Sequence, residues 1–138
     1  MQYLFKMSGE MNLRNLIKEM KPVLNAGEYV FISLSSIDAI SRSETIFEFK
    51  EKEGTTIVLE KLKADELHLS YQFIASWITL KIHSSLEAVG LTAAFSSELA
   101  KHNISSNVVA GFYHDHIFVD KKDGEETIKV LTAFSNNY

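Results

Sequence analysis

The chain has 138 residues, enough to bury one hydrophobic core, and its 46% hydrophobic and 23% charged residues are those of an ordinary globular protein. Its net charge is -4, and its lysines are scattered among glutamates, which excludes a general nucleic-acid binder because phosphate contacts need clustered Lys and Arg. The absence of cysteine excludes disulfides, thiol nucleophiles and thiolate metal sites.

No segment of the sequence is suited to cross a membrane. Its apolar runs fall short of the about 20 residues that a bilayer-spanning helix needs. The N-terminal stretch "MQYLFKMSGEMNLRN" also lacks the apolar run of a secretory signal. We therefore expect a cytoplasmic protein with neither a membrane nor a nucleic acid among its partners.

The first half of the chain predicts a helix, three longer strands and a second short helix. Pro22 should end the first helix, whose apolar stripe after Asn12 comprises Leu13, Leu16, Ile17, Met20 and Leu24. The alternation in "EYVFISLS" predicts a strand. After a polar loop, "TIFEFKEKEGTTIVLE" predicts a hairpin that turns at Glu53-Gly54, and "KADELHLS" predicts a short helix. A further short strand is expected at Tyr3-Leu4-Phe5.

The second half predicts a strand, a helix, two strands and a last helix. "FIASWITLKI" places Ile78, Leu80 and Ile82 on one face and Trp77, Thr79 and Lys81 on the other. Ser84 with Glu87 has the form of a capping box. The apolar stripe of the helix that follows comprises Ala88, Leu91, Thr92, Phe95 and Leu99. "SNVVAGFY" and "HIFVD" predict strands, and "DGEETIKVLTAF" predicts the last helix.

This order of elements predicts two related units in one chain. The second unit, residues 72–138, is a ferredoxin-like unit that lacks its last strand, and the first, residues 1–71, has similar parts. Units of this size are barely stable alone, so we expect one to lend the other a strand or both to share a sheet. The missing strand should leave an open sheet edge, and because such edges are usually paired or covered, we expect a homodimer.

The sequence His114-Asp115-His116 allows three interpretations. On a continuous strand both imidazoles would share a face, and His-x-His is a genuine metal-ligand spacing, although a site needs further ligands. Alternatively, the three residues lie in a hairpin that contacts a ligand. The third interpretation is a plain tight turn from Tyr113 to His116, with half-exposed imidazoles.

The stretch "HSSLEAVGLTA" joins a strand to a helix. Ser84 and Ser85 can cap the helix, and Gly90 lets a backbone or a ligand come close. The N–H groups at a helix start favour an anion, although most loops of this composition only cap a helix. A serine nucleophile is disfavoured because the pattern G-x-S-x-G is absent.

The segment "ITLKIHSSLEAVGLTAAFSSELAKHNISSNVVAGFYHDHIFV" resembles the small tandem ACT-domain proteins of bacteria, a group largely without assigned function. The upstream "MKPVLNAGEYVFISL" and "EGTTIVLEK" are similar to the first repeat of that group. The resemblance implies an α+β fold of tandem ACT-like (ferredoxin-like βαββαβ) repeats, with antiparallel sheets and helices packed on one face. It also implies a regulatory module that binds an amino acid.

The resemblance further implies where a ligand would bind. Gly90-Leu91 match the Gly-Leu pair of the family, whose ligand lies by the loop between first strand and first helix. The family's acidic residue and Pro before this glycine are replaced here by "SSLEAV". The family layout also places the His114–His116 segment in a turn between strands. The expected ligand-binding residues are Ser84, Ser85, Leu86, Val89, Gly90, Leu91, Thr92, Asn107, His114, Asp115 and His116.

From the sequence we therefore expect a small-molecule-binding sensor or regulatory module, with an amino acid as its ligand, no catalytic residue, no metal and no cofactor. A structural protein–protein interaction module without a ligand is the alternative. A metal-assisted enzyme that uses His114 and His116 is the third and least favoured interpretation.

Overall fold

The computed structural model describes residues 12–82 and 88–138 of the chain. The predicted strand at Tyr3-Leu4-Phe5 and the capping pair Ser84 and Glu87 lie outside these residues. The order of the elements is α1 (Leu13–Glu19), β1 (Pro22–Leu24), β2 (Tyr29–Leu34), β3 (Phe47–Lys50), β4 (Thr55–Glu60), α2 (Lys61–Glu66), β5 (Ile74–Leu80), α3 (Leu91–Lys101), β6 (Asn107–Ala110), β7 (Asp115–Asp120) and α4 (Gly124–Asn136), with 3-10 turns at Arg42–Glu44 and Lys121–Asp123.

The strands of both halves form one antiparallel sheet. Its order is β3-β4-β2-β5-β7-β6, and β1 also pairs with β5. The halves meet where β2 pairs with β5, with Tyr29 opposite Ala75 and Val30 opposite Ile74. The expectation of a shared sheet is therefore confirmed, as is the hairpin of β3 and β4 in the first half.

The second unit lacks its last strand, as expected, but β5 is not left as an open edge, because two segments of the first half pair with it. β2 pairs with the first residues of β5, and β1 pairs with its last residues, from Pro22 opposite Leu80 to Leu24 opposite Ile78. Leu24 was expected on the helical stripe, but Pro22 cannot continue the helix and the chain turns into β1 instead. Within the described residues the outer edges of the sheet are β3 and β6.

The helices and the first-half loop cover one face of the sheet, which we call the helix face. Ile78 and Leu80 of β5 are buried there with Ile117 and Val119 of β7, against Phe95 of α3 and further residues of α1 and α4. In the first half the same face carries Val30, Ile32, Ile57 and Leu59, which pack with Ala64 of α2 and with Ile37 and Ile40 of the loop. The predicted division of β5 into two faces is confirmed.

The opposite face carries aromatic side chains from both halves, and we call it the aromatic face. Its six rings belong to Tyr29, Phe31, Phe47, Phe73, Trp77 and Phe118. The ring of Phe118 lies 5.3 Å from that of Phe31 and 5.9 Å from that of Phe47, so the second half packs directly on the first. Phe118 is only 1% exposed. Within residues 12–82 and 88–138 this cluster contains no residue of a helix, so the described rings bury one another.

No helix within residues 12–82 and 88–138 is long and apolar enough to span a membrane.

Replacement of Phe118 by alanine should destabilise both halves together, because its ring joins them. We expect the variant to lose about 3–5 kcal/mol of unfolding free energy in a single transition, measured by chemical denaturation. Phe49→Ala on β3 is the matched control, since Phe49 is 63% exposed, and it should cost no more than about 0.5 kcal/mol. Two separate transitions, or equal effects of the two changes, would contradict this account of the sheet.

Candidate functional site

The helix α3 starts later than the sequence predicts. Its N-cap is Gly90, whose backbone is left-handed with a φ of 100°, and the helix runs from Leu91. A side chain at Gly90 would be strained at this φ, and its Cβ would lie 3.2 Å from Leu13 Cδ2. A helix that began after Ser84 cannot pass through this conformation, so the capping box does not mark the start of α3. Ala94 N donates to Gly90 O at 2.9 Å, closing the first turn.

The residues around this helix start are a mixture of buried and exposed positions. Leu91 packs into the core, whereas Val89 is 85% exposed. Thr92 was expected on the apolar stripe, but it is exposed on the first turn of α3. Ser84, Ser85 and Leu86 lie outside the described residues. Of the predicted loop, residues 89–92 therefore form the part of the candidate site that the structure describes.

Asn107 lies some distance along the sheet from this loop. It is the first residue of β6 and pairs with Phe118, whereas Ala110 at the other end of β6 pairs with Asp115. Three residues of strand separate Asn107 from that end by about 10 Å. Its side-chain Nδ2 donates to Phe118 O at 3.2 Å. The side chain thus holds a neighbouring strand.

The turn between β6 and β7 is displaced from the predicted one. Gly111 N donates to His114 O at 2.9 Å, so the connection is Gly111–His114, not Tyr113–His116. Asp115 and His116 are already residues of β7. Since consecutive strand residues point to opposite faces, these two side chains are separated by the sheet. Asp115 and His116 therefore cannot line one pocket on the same face.

Asp115 points to the helix face, together with its strand partner Leu80. It is only 6% exposed, and this burial raises the pKa of its carboxyl group, against the opposing influence of His114. Leu80 is the last residue of β5, from which the chain continues to the start of α3. Leu80 and Leu91, the first residue of α3, pack in one core cluster, so Asp115 and the start of α3 lie on the same side of the sheet.

His116 points to the aromatic face and is held there by two side chains. Trp77 Nε1 donates to its Nδ1 at 3.0 Å, and Thr79 Oγ1 lies 3.1 Å from the same nitrogen. An indole N–H can only donate, so Nδ1 must be the unprotonated nitrogen and the proton of the neutral ring is on Nε2. Burial lowers the pKa of His116, and the nearby His114 lowers it further.

His114 precedes the strand, and its Nδ1 is buried without a hydrogen-bond partner in the described part of the chain. The three residues of the His-Asp-His segment therefore have three different surroundings. Across residues 12–82 and 88–138, no group of three or more His, Cys, Asp or Glu side chains is placed to hold a metal ion.

A cavity of about 180 Å³, which the sequence patterns do not predict, opens on the aromatic face beside His116. Its lining residues are Ile46, Phe47, Trp77, Val109, Gly111, His116 and Phe118. Strands β2 and β5 carry large apolar residues on both faces, which indicates that both faces of the sheet are covered. A strand covered on only one face would have a polar second face. The position of the cavity depends on the register of several strands.

Models of the ACT domain match the chain twice, over residues 8–76 and 72–133. The chain therefore belongs to the ACT-domain family, and its α+β fold of tandem ACT repeats is the one that the resemblance implied. No curated protein matches the chain.

Solved structures of three kinds are similar to it. A Vibrio cholerae protein of unknown function, described as a possible transport protein, is 46% identical with a TM-score of 0.80, covering 89% of this chain and 95% of that one. The ligand-free regulatory subunit of aspartate kinase from Thermus thermophilus has 6% identity and a TM-score of 0.59, covering 81% and 95%. Aspartate kinase from Clostridium acetobutylicum, an allosteric enzyme, has 10% identity and a TM-score of 0.60, covering 86% and 34%. At these low identities the two kinase likenesses show the fold alone.

The lowered pKa of His116 should make the stability of the chain depend on pH. The unfolded imidazole, with its ordinary pKa of 6.5, binds a proton more readily than the folded one. The stabilising contribution is hence complete above that pH and is lost as the pH falls towards the folded pKa. We expect the unfolding free energy of the wild type to fall between about pH 7 and pH 5 relative to that of His116→Asn.

This variant is suitable because the asparagine side-chain oxygen can accept from Trp77 in place of Nδ1 but does not titrate. Asp115 and the other histidines are present in both proteins and cancel in the comparison. His102→Asn, at the exposed end of α3, is the control and should keep the wild-type pH dependence. Parallel curves for the wild type and His116→Asn would show that His116 is not held neutral.

Proposed function

We propose that the chain is a non-catalytic regulatory module of the cytoplasm that binds a free amino acid. The observation that carries this proposal is Asp115, a buried carboxyl group with a raised pKa. It lies on the face of the sheet that α3 covers, since its strand partner Leu80 packs in one core cluster with Leu91 of α3. Perturbed carboxyl groups of this kind cluster at functional sites. The fold shared with aspartate kinase regulatory domains supports a regulatory role.

The two charges of an amino acid suit the two parts of this site. The first turn of α3 presents backbone N–H groups that have no partner within the helix, together with the positive end of the helix dipole, which suits a carboxylate. Asp115 supplies a carboxylate for the ligand ammonium group. Thr92 adds an exposed hydroxyl on the same turn. We include Ser84, Ser85 and Leu86 in the proposed site because they lie in the matching loop.

The energetics of Asp115 also favour a cationic partner. Because burial raises its pKa, the ionised carboxylate destabilises the folded chain at neutral pH relative to a neutral group of the same shape. An ammonium group beside it would favour the ionised form and so offset that cost. His116, on the other face, takes no part in this site.

We further propose that the chain forms a homodimer and that its repeats divide near residues 71 and 72. Among the described strands, β3 and β6 each have one neighbour, and such edges favour pairing with a second copy. Phe112 and Tyr113 at the β6–β7 hairpin are exposed aromatic side chains beside the β6 edge.

The dimer is tested by light scattering of the purified chain over a range of concentrations. A dimer has a mass of about 31 kDa, twice the 15.6 kDa of one chain. A mass of 15.6 kDa at every concentration would reject the dimer and leave the binding proposal intact.

A thermal-shift screen against the twenty amino acids tests the binding function. A ligand at about 100 times its dissociation constant adds about 2.7 kcal/mol to the folded state, which raises the melting temperature by on the order of 10 °C. Asp115→Asn should abolish this shift. Since the asparagine removes a buried charge, the variant should be at least as stable as the wild type near neutral pH, so the lost response cannot be attributed to unfolding.

Asp38→Asn is the matched control for the binding experiment, because Asp38 is exposed on the loop that follows β2. It should leave the thermal shift unchanged. If all twenty amino acids fail to shift the wild type, the chain is better described as an interaction module. If one shifts Asp115→Asn as strongly as the wild type, the ligand binds elsewhere.

A further inference from the structure

We propose that the cavity on the aromatic face is a second binding site, for a small uncharged aromatic molecule that carries one hydrogen-bond acceptor. The cavity has a volume of about 180 Å³. It lies on the face of the sheet opposite to Asp115, so it is distinct from the proposed amino-acid site and does not depend on it.

The size of the cavity suits a single aromatic ring. An apolar protein cavity of about 150 Å³ can hold benzene. The cavity here is slightly larger, which leaves room for a ring and one small substituent. Its walls are also of the right kind, since Trp77 and Phe118 lie nearly parallel, 6.2 Å apart with an angle of 14° between their planes. Phe47 closes one side, 5.9 Å from Phe118.

The charge of the walls selects an uncharged ligand. None of the lining residues except His116 can carry a formal charge, and the bond from Trp77 keeps His116 neutral. A carboxylate or an ammonium group in this cavity would lose its hydration without gaining a counter-charge, which is strongly unfavourable. Free amino acids, which carry both charges at neutral pH, are therefore poor ligands for this site.

His116 supplies the polar contact of the cavity. Because Nδ1 accepts from Trp77, the remaining ring nitrogen, Nε2, carries a proton that it can donate. This nitrogen lies beside Gly111: a Cβ at that position would be only 3.3 Å from Nε2, and it would clash with His114 O at 2.8 Å. Glycine at this position keeps the space next to the donor open, and a ligand there needs an acceptor.

The intrinsic fluorescence of the chain reports directly on this cavity. Trp77 is the only tryptophan of the sequence and forms one of the walls. The protein can be titrated with phenol, with benzene and with benzoate while Trp77 emission is recorded. The excitation wavelength is one that these three probes do not absorb. We expect saturable changes with phenol and benzene and none with benzoate, because benzoate has the ring but also a charge.

Substitutions that fill the cavity should abolish these changes. Val109→Phe projects a ring into it from β6, and Ile46→Phe does so from the segment before β3, which provides a second test if one variant fails to fold. His116→Asn removes the Nε2 donor from its position beside Gly111, because the asparagine side chain is shorter, and its side-chain oxygen keeps an acceptor for Trp77. It should lower the preference for phenol over benzene by on the order of 3- to 10-fold. His102→Asn, far from the cavity, should leave both affinities unchanged.

Two results would exclude a binding site in the cavity, and a third would exclude the proposed ligand class. One is a fluorescence change that stays linear with phenol concentration, since collisional quenching without a site gives no saturation. The other is an unchanged phenol affinity in a folded Val109→Phe or Ile46→Phe variant. If benzoate binds as tightly as phenol, the site is not selective for uncharged molecules and the proposed ligand class is wrong.

Discussion

The packing of Phe118 against Phe31 and Phe47 is the contact on which the rest of the structure depends. It brings the second half of the chain onto the first, on a face where none of the described helices contributes to the cluster. The two ladders that join the halves are short, with two pairs of partners between β2 and β5 and three between β1 and β5. The burial of aromatic rings from both halves therefore contributes much of the packing that holds the two halves in one sheet. The helices pack on the other face.

Because side chains cover both faces of the sheet, consecutive residues of one strand lie in different surroundings. Asp115 belongs to the helix face, whereas His116 belongs to the aromatic face beside Trp77. Each has a pKa displaced by burial in the direction that favours the neutral form. The neutral state of His116 fits an uncharged cavity. The ionised carboxylate of Asp115, which burial makes unfavourable, instead suits a site that binds a cation.

Much of the fold could be predicted from local patterns, and the misses have physical causes. The β3–β4 hairpin follows from its alternation and from Gly54, and α4 follows from its helical stripe. Strand β1 is too short to show a period, and its partner β5 is distant in the sequence. The left-handed backbone of Gly90 sets the start of α3, and a capping-box pattern in the sequence does not predict that conformation. The cavity beside His116 required the register of β5, β6 and β7, which tertiary packing decides.

The central claim is that the sheet separates the sites of Asp115 and His116, and one side-by-side measurement tests it most directly. The thermal shift given by an amino acid that stabilises the wild type is measured in Asp115→Asn and in His116→Asn. The account predicts that the first variant loses the shift and that the second keeps it in full. Equal losses in both variants would contradict the account, because they would place the two side chains in one site.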